Sequence, residues 1–154
     1  MSNDSTDWVK VLEFLEPKTP LYCPHEPHPK QKAFLRTEVL EALFGGAAGG
    51  GKSDALLMAA LQWVDTPGYA AMIFRNTFAD LALPGAIMDR ARDWLSDQPD
   101  VRWSKQSNTA IFPSGATISF GYLDGPDDHL RYKGMEVQFI GFDEVTEIRE
   151  QHYR

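Results

Sequence analysis

The chain has 154 residues, of which 43% are apolar and 24% charged, and 22 acidic residues against 15 lysines and arginines give a formal net charge of −7. This length and composition suit one globular domain with a hydrophobic core and exclude a wholly disordered chain. No apolar run approaches the roughly 20 residues of a spanning helix, and residues 1–7 lack the apolar core of a signal peptide. We therefore expect a cytoplasmic protein without a membrane anchor. The acidic balance argues against coating nucleic acid by bulk charge.

Prolines are concentrated near the start of the chain, where five of the ten lie within residues 17–29. They exclude a regular helix or a central strand there, because proline lacks the backbone donor. Residues 1–29 are therefore predicted to be a leader that runs extended over a surface. One short amphipathic helix is predicted before the prolines, formed by Trp8, Val11, Leu12, Phe14 and Leu15. Residues 30–154 are predicted to be globular.

The globular part begins with alternating helix and strand patterns. Residues 31–36 indicate a short helical turn, and residues 39–44 indicate a short buried strand that leads into glycines. Residues 53–63 are almost continuously apolar, which predicts a helix buried on most of its sides. Residues 69–74 predict a second buried strand. This order favours an α/β fold.

A further helix is predicted after the second strand, with Thr77 or Asp80 as its cap. Its apolar positions recur at helical spacing and form one stripe: Ile87, Met88, Ala91, Trp94 and Leu95. The pattern then changes to a period of two, so residues 101–123 are predicted to form antiparallel hairpin structure. Residues 137–142 are a near-continuous apolar run, which predicts a central parallel strand ending at Asp143 and Glu144.

Residues 46–53 read GAAGGGKS and match the pattern G-x-x-x-x-G-K-[ST], between a predicted strand and a predicted helix. Glycines allow the backbone to curl so that its N–H groups point at phosphate oxygens, and the helix that follows adds the positive end of its dipole. The lysine of this pattern reaches the β and γ phosphates, and the serine hydroxyl binds Mg²⁺. The predicted nucleotide-binding residues are Gly46, Ala47, Ala48, Gly49, Gly50, Gly51, Lys52 and Ser53.

The acidic end of the last strand supplies a second nucleotide motif. Ligands of open α/β sheets bind at the carboxyl ends of strands, where Asp143 and Glu144 are expected. Asp143 is predicted to hold Mg²⁺ together with Ser53, because magnesium prefers a few oxygen ligands and retains water. Glu144 is predicted to polarise the water that attacks the γ phosphate. An adjacent glutamate favours a hydrolase over a small-molecule kinase.

Several segments together resemble the large terminase subunit of tailed bacteriophages, from about residue 29 to residue 148. The segments are PKQ (29–31), FGGAAGGGKS (44–53), MIFRNT (72–77), GATISFGYL (115–123), RYKG (131–134) and FIGFDE (139–144). The resemblance implies a P-loop NTPase core of the ASCE type, with a mainly parallel sheet flanked by helices and an antiparallel hairpin insertion. It also implies the ATPase half of a motor that drives double-stranded DNA into a capsid, with ATP and Mg²⁺ as cofactors. The implied partners are DNA, a small terminase subunit, the portal protein and further copies of the chain.

The resemblance also implies roles for individual residues. Gln31 matches the glutamine that such proteins place against adenine, although an exposed helix glutamine is an equally simple interpretation. Lys52 and Glu144 match catalytic positions. Arg75 and Arg131 are both candidates for stabilising transition-state charge, or for purely structural roles, and the residues do not decide between them.

The chain departs from the family by ending ten residues after Glu144. It is expected to be an incomplete ATPase domain that lacks the C-terminal nuclease domain. The strand that inserts between the acidic strand and the P-loop strand in such ATPases is also expected to be missing, which leaves unpaired backbone groups. We therefore predict weak nucleotide binding and little turnover. The alternatives are a helicase-like P-loop ATPase of nucleic-acid metabolism and a non-catalytic prophage remnant.

Overall fold

The computed structural model describes residues 20–47 and 49–153. The amphipathic helix predicted before the prolines lies outside these residues. Residues 20–28 form turns and extended backbone without a regular element, as the prolines predict. No helix within the described ranges is both long and apolar enough to cross a lipid bilayer.

Five α-helices and two 3₁₀ turns are present in the described part of the chain. The helices are α1 (Pro29–Leu35), α2 (Lys52–Leu61), α3 (Phe78–Ala82), α4 (Ile87–Leu95) and α5 (Glu150–Tyr153), and the 3₁₀ turns are Asp128–Tyr132 and Val145–Glu147. The predictions of α1 and α2 are confirmed. The helix predicted after residue 77 is observed as two helices, α3 and α4, and its predicted apolar stripe lies on α4. The break occurs because Leu83 is extended with ψ of 144° and precedes Pro84, which disfavours helical backbone. Thr77 caps α3 by accepting a hydrogen bond from the Asp80 N–H.

The strands are β1 (Ala70–Arg75), β2 (Arg102–Ser104), β3 (Thr109–Ile111), β4 (Thr117–Tyr122) and β5 (Phe139–Phe142). They form one sheet in the order β2-β3-β4-β1-β5. β1 is parallel to both β4 and β5, whereas β3 pairs antiparallel with β2 and with β4. The α/β class with flanking helices is therefore confirmed, but the expectation of a mainly parallel sheet is wrong. The predicted hairpin joins the sheet through β4, so the sheet is mixed.

β1 is buried on both of its faces, which explains its continuous apolar run. Ile73 belongs to the main core, which β1 shares with Leu57 and Leu61 of α2 and with Ile87 of α4. Phe74 points to the opposite face and packs in a smaller cluster with Met72, Leu123 and Ile148. The carboxyl end of β1 is therefore fixed between two layers of packed side chains, one on each face of the sheet.

The segment before the glycines is not a strand. Residues 39–44 have no regular structure, and Val39, Leu40 and Leu43 are 63%, 101% and 82% exposed. β5 lies at the edge of the sheet rather than in its centre, and Ile140 is 52% exposed. The prediction of a parallel strand over residues 137–142 is confirmed, because β5 pairs parallel with β1, but its central position is wrong. A central strand needs neighbours on both sides for its backbone groups, and no described strand pairs with the outer edge of β5.

Candidate functional site

The predicted phosphate loop connects the exposed segment to α2. Gly49 and Gly51 have φ of +73° and +71°, in the left-handed region that glycine adopts without strain. Gly51 is the N-cap of α2, so the loop leads directly into a helix start whose N–H groups can bind an anion. The other described loop residues are exposed, namely Gly46, Ala47, Gly49 and Gly50, and Ala48 lies outside the described residues.

Lys52 folds back over this loop. Its Nζ atom donates hydrogen bonds to the carbonyl oxygens of Gly46 at 3.2 Å and Ala47 at 3.0 Å. A lysine ammonium has three donors and no acceptor, so these carbonyls hold the positive charge beside the loop backbone. An anion bound in the loop would therefore lie close to the Lys52 ammonium group.

Ser53 connects the phosphate loop to the acidic strand. Its hydroxyl donates a 2.9 Å hydrogen bond to Asp143 Oδ1, across 90 residues of sequence. Asp143 is only 5% exposed and follows β5, whereas Ser53 lies in the first turn of α2. The two residues predicted to bind magnesium are therefore neighbours in the fold.

Arg75 ends β1 beside the same carboxylate. Its Nε atom lies 3.4 Å from Asp143 Oδ2 and is buried without a hydrogen bond, so the contact is an ion pair rather than an aligned hydrogen bond. Its Nη1 atom donates to the Asp80 carbonyl at 3.2 Å, which ties the guanidinium to α3. Arg75 thus contacts the predicted metal ligand, and its predicted role at nucleotide phosphates stays a prediction.

The environment of Asp143 contains opposing influences on its charge. Burial raises the pKa of the Asp143 carboxyl, and the neighbouring charge of Glu144 adds to this effect. The hydrogen bond from Ser53 and the positive charges of Arg75 and Arg90 act in the opposite direction, towards a lower pKa. Because burial has the largest effect, the net pKa is above its ordinary value of 3.8. A divalent cation would favour the ionised form.

Glu144 has an unusual backbone conformation. Its φ of 52° and ψ of 53° place it in the left-handed region, which is uncommon for residues other than glycine. Its side chain is exposed, in contrast to the buried Asp143 before it. Such local strain is typical of functional sites, where the surrounding structure stabilises a costly conformation.

Gln31 is buried, so the exposed-glutamine interpretation is wrong. It is 2% exposed and lies in α1. Its Nε2 atom donates to the Gly51 carbonyl at 2.9 Å, and its Oε1 atom accepts from the His28 N–H at 2.8 Å. Both ends of the amide are engaged inside the protein, at the phosphate loop. The predicted contact with adenine stays a prediction.

Arg131 lies away from Asp143, on the 3₁₀ turn beside β4. Its Nη2 atom pairs with Asp128 Oδ1 at 2.8 Å, and its guanidinium lies over the Tyr122 ring at 5.1 Å. Tyr122 stands opposite Arg75 in the register of β4 and β1. Arg75 at the end of β1 and Arg131, which contacts the end of β4, therefore lie near the carboxyl ends of neighbouring strands, but only Arg75 contacts Asp143.

The Asp128 carboxylate accepts hydrogen bonds from the Asp124 and Gly125 N–H groups and pairs with Arg131. These contacts predict that the stability of the protein depends on pH. The Gly125 N–H, with the Arg131 charge and the Asp124 N–H, lowers the pKa of Asp128 below 3.8. The stability from its ionised form is therefore present above about pH 4 and lost as the pH falls through the folded pKa. We expect Asp128→Asn to melt below wild type at pH 7, and the two proteins to converge as the pH falls below 3.8 and through the lowered pKa of Asp128. Thermal melts across this range measure the difference, with exposed Asp127→Asn as control. A difference independent of pH would contradict the prediction.

Two residues beside the site were missed by the sequence patterns. Asp54, which follows Ser53, forms a short ion pair with Arg90 of α4, and His25 Nε2 lies 3.6 Å from its other oxygen. Arg90 also donates to the Gly85 carbonyl at 3.2 Å. Helical spacing assigns Arg90 to a solvent face, and no local signal indicates a partner 36 residues earlier. These contacts fasten the start of α2 to α4 and to the leader.

Comparison with known proteins identifies a family for this chain. Residues 43–154, about three quarters of the chain, match a family model described as the large terminase subunit of T4-like-virus type, N-terminal region. No curated protein and no solved structure matches the chain significantly. The resemblance inferred from the sequence is confirmed, and it supports a role in phage DNA packaging. The chain belongs to the family of large terminase subunits, as part of their N-terminal region.

Proposed function

We propose that the chain is the ATP-binding and ATP-hydrolysing part of a bacteriophage DNA-packaging motor. The observation that supports this best is the hydrogen bond from Ser53 to Asp143. It joins the end of the phosphate loop to the end of the acidic strand. Phosphoryl transfer depends on bringing these two motifs together around the polyphosphate.

The residues of the site have complementary roles in this proposal. The backbone N–H groups of the loop and of the α2 start bind phosphate oxygens, and Lys52 adds a positive charge toward the β and γ phosphates. Glu144, whose carboxylate is exposed beyond β5, orients the attacking water and accepts its proton. Arg75 holds the Asp143 carboxylate, and Arg131 is a second cation at the same sheet edge.

Magnesium is the proposed cofactor, and Ser53 and Asp143 would hold it. Their oxygens are 2.9 Å apart and are of the hard type that magnesium prefers, with nucleotide phosphates and water as the remaining ligands. When bound, magnesium would neutralise charge on the phosphates during transfer. The chain itself orients this pair, through the start of α2 on one side and the end of β5 on the other.

The proposed partners follow from the family. They are double-stranded DNA, the portal protein, a small terminase subunit and further copies of the chain, acting in the host cytoplasm. A net charge of −7 means that any DNA contact depends on local basic surface rather than on overall attraction.

Thermal unfolding with and without ATP and Mg²⁺ tests nucleotide binding. Nucleotide at about ten times its dissociation constant stabilises the folded state by about 1.4 kcal/mol, which raises the Tm of a chain this size by a few degrees. We expect Lys52→Ala to lose this rise, because the charge that faces the phosphates is gone. Lys105→Ala, an exposed lysine in the β2–β3 turn, is the matched control and should keep it. Identical melting of wild type and Lys52→Ala under all conditions would contradict the proposal and leave the non-catalytic interpretation.

A further inference from the structure

We propose that Gln31 is a positioning residue for the phosphate loop. Its side-chain amide orients the loop by binding the carbonyl of Gly51, and it does not contact the base of the nucleotide. This inference rests on the proposed function, since it concerns how the same loop receives polyphosphate. The Nε2 atom of Gln31 donates to the Gly51 carbonyl at 2.9 Å. That carbonyl also accepts the first helical hydrogen bond of α2, from Ala55 at 3.0 Å.

Gly51 is the residue whose geometry decides where the loop points. It has a left-handed φ of +71° and is the last residue before α2, so its peptide group sets the angle between loop and helix. The Gln31 amide packs directly against it: a Cβ atom on Gly51 would lie 2.8 Å from Gln31 Nε2. A hydrogen bond to the carbonyl on this side fixes the rotation of the peptide plane, and with it the direction of the N–H groups that would meet phosphate.

The burial of Gln31 argues against direct base recognition. The residue is 2% exposed, and its Oε1 atom accepts a hydrogen bond from the His28 N–H at 2.8 Å. The amide has a second N–H and a second acceptor lone pair, but an adenine edge could reach them only if the packing around the buried Gln31 side chain opened. The same amide instead links the start of α1 to the start of α2.

The far end of α1 offers a matched comparison. Gln62, just after α2, donates from Nε2 to the Leu35 carbonyl at 3.3 Å. Leu35, Met58 and Ala59 form the apolar contact between the two helices. One glutamine amide therefore ties the helices at the phosphate loop, and another ties them at the opposite end. Methionine is similar in volume to glutamine, so Gln31→Met and Gln62→Met each remove one amide with little change in volume. Of the two variants, only Gln31→Met removes a hydrogen bond to the phosphate loop.

The test compares affinities for Mg²⁺ complexes of ATP, GTP and inorganic tripolyphosphate, which has no base. We expect Gln31→Met to weaken all three by the same factor, about five- to tenfold for one lost hydrogen bond, with an unchanged ratio of ATP to GTP affinity. Gln62→Met should stay within twofold of wild type for each ligand. Affinities are measured by calorimetry well below the Tm of each variant.

Three results would overturn the inference while the proposed function stands. The first is that Gln31→Met binds tripolyphosphate as tightly as wild type but loses the preference for ATP over GTP, because the residue would then recognise the base. The second is an equal loss of affinity in Gln62→Met, which would indicate helix docking alone. The third is unchanged affinity for every ligand in Gln31→Met. Failure of wild type to bind any of the three ligands would overturn the proposed function, and the inference with it.

A measurement on wild type covers the case in which Gln31→Met does not fold. The side-chain amide of Gln31 is observed by NMR in the free protein and with each ligand. We expect its two N–H signals to respond equally to tripolyphosphate and to ATP. A response to ATP that tripolyphosphate does not produce would assign Gln31 to the base and overturn the inference.

Discussion

Arg75→Met is expected to lower the free energy of unfolding by about 3 kcal/mol at neutral pH, which is the usual cost of removing one partner from a buried ion pair. The Asp143 and Arg75 side chains are 6% and 16% exposed. Without Arg75, the close partner that remains to the Asp143 carboxylate among the described residues is the Ser53 hydroxyl. Denaturant unfolding of both proteins measures the loss.

The double variant Arg75→Met with Asp143→Asn separates charge from packing. It replaces both ionised partners with neutral side chains, so it should recover most of the stability lost in the single variant. Arg131→Met is the control, because the Arg131 side chain is 53% exposed and ion pairs of exposed side chains contribute little to stability. Equal losses in the single and double variants would show that Arg75 stabilises the fold by packing and not by its charge.

Glu144→Gln and Glu144→Gly are expected to reduce Lys52-dependent ATP hydrolysis equally, by about 10²- to 10⁴-fold, because each removes the proposed general base. Their stabilities should differ. Glycine adopts φ of 52° without the cost of about 1 kcal/mol that other residues meet there, and this gain is partly offset by its larger unfolded-state entropy. Glu144→Gly should therefore equal or exceed wild type in stability, while Glu144→Gln should stay within about 0.5 kcal/mol of it.

Single-turnover hydrolysis with protein in excess and denaturant unfolding provide the two measurements. Both variants should keep the nucleotide-induced rise in Tm, since neither changes the phosphate loop. Hydrolysis by Glu144→Gln at the wild-type rate would remove the residue from the proposed mechanism. A clear loss of stability in Glu144→Gly would show that the left-handed backbone is not a cost at this position.

Local patterns predicted most of the regular elements. The apolar run that became β1, the alternation in the hairpin and the Thr77 cap all depend on residues that are adjacent or a few positions apart. The glycine pattern before Lys52 likewise predicts a loop because left-handed backbone is a property of single residues. These features could be inferred correctly since their physical causes lie within each segment.

Two apolar segments, each predicted to be a buried strand, had different outcomes. β1 lies between β4 and β5 and is buried on both faces, whereas residues 39–44 have no strand neighbour and are largely exposed. Composition cannot distinguish them, because a strand is completed by hydrogen bonds to a segment distant in the chain. The position of β5 at the sheet edge could not be predicted for the same reason.

The sequence by itself determined the family, and it predicts two nucleotide motifs and the residues that carry them. Only the tertiary structure decided which of these residues are partners: Ser53 with Asp143, Arg75 with Asp143, and Gln31 with Gly51. The physical reason is that a polar side chain that becomes buried must find a partner among whatever groups the fold brings near it. That choice depends on contacts between segments, and no pattern within one segment contains it.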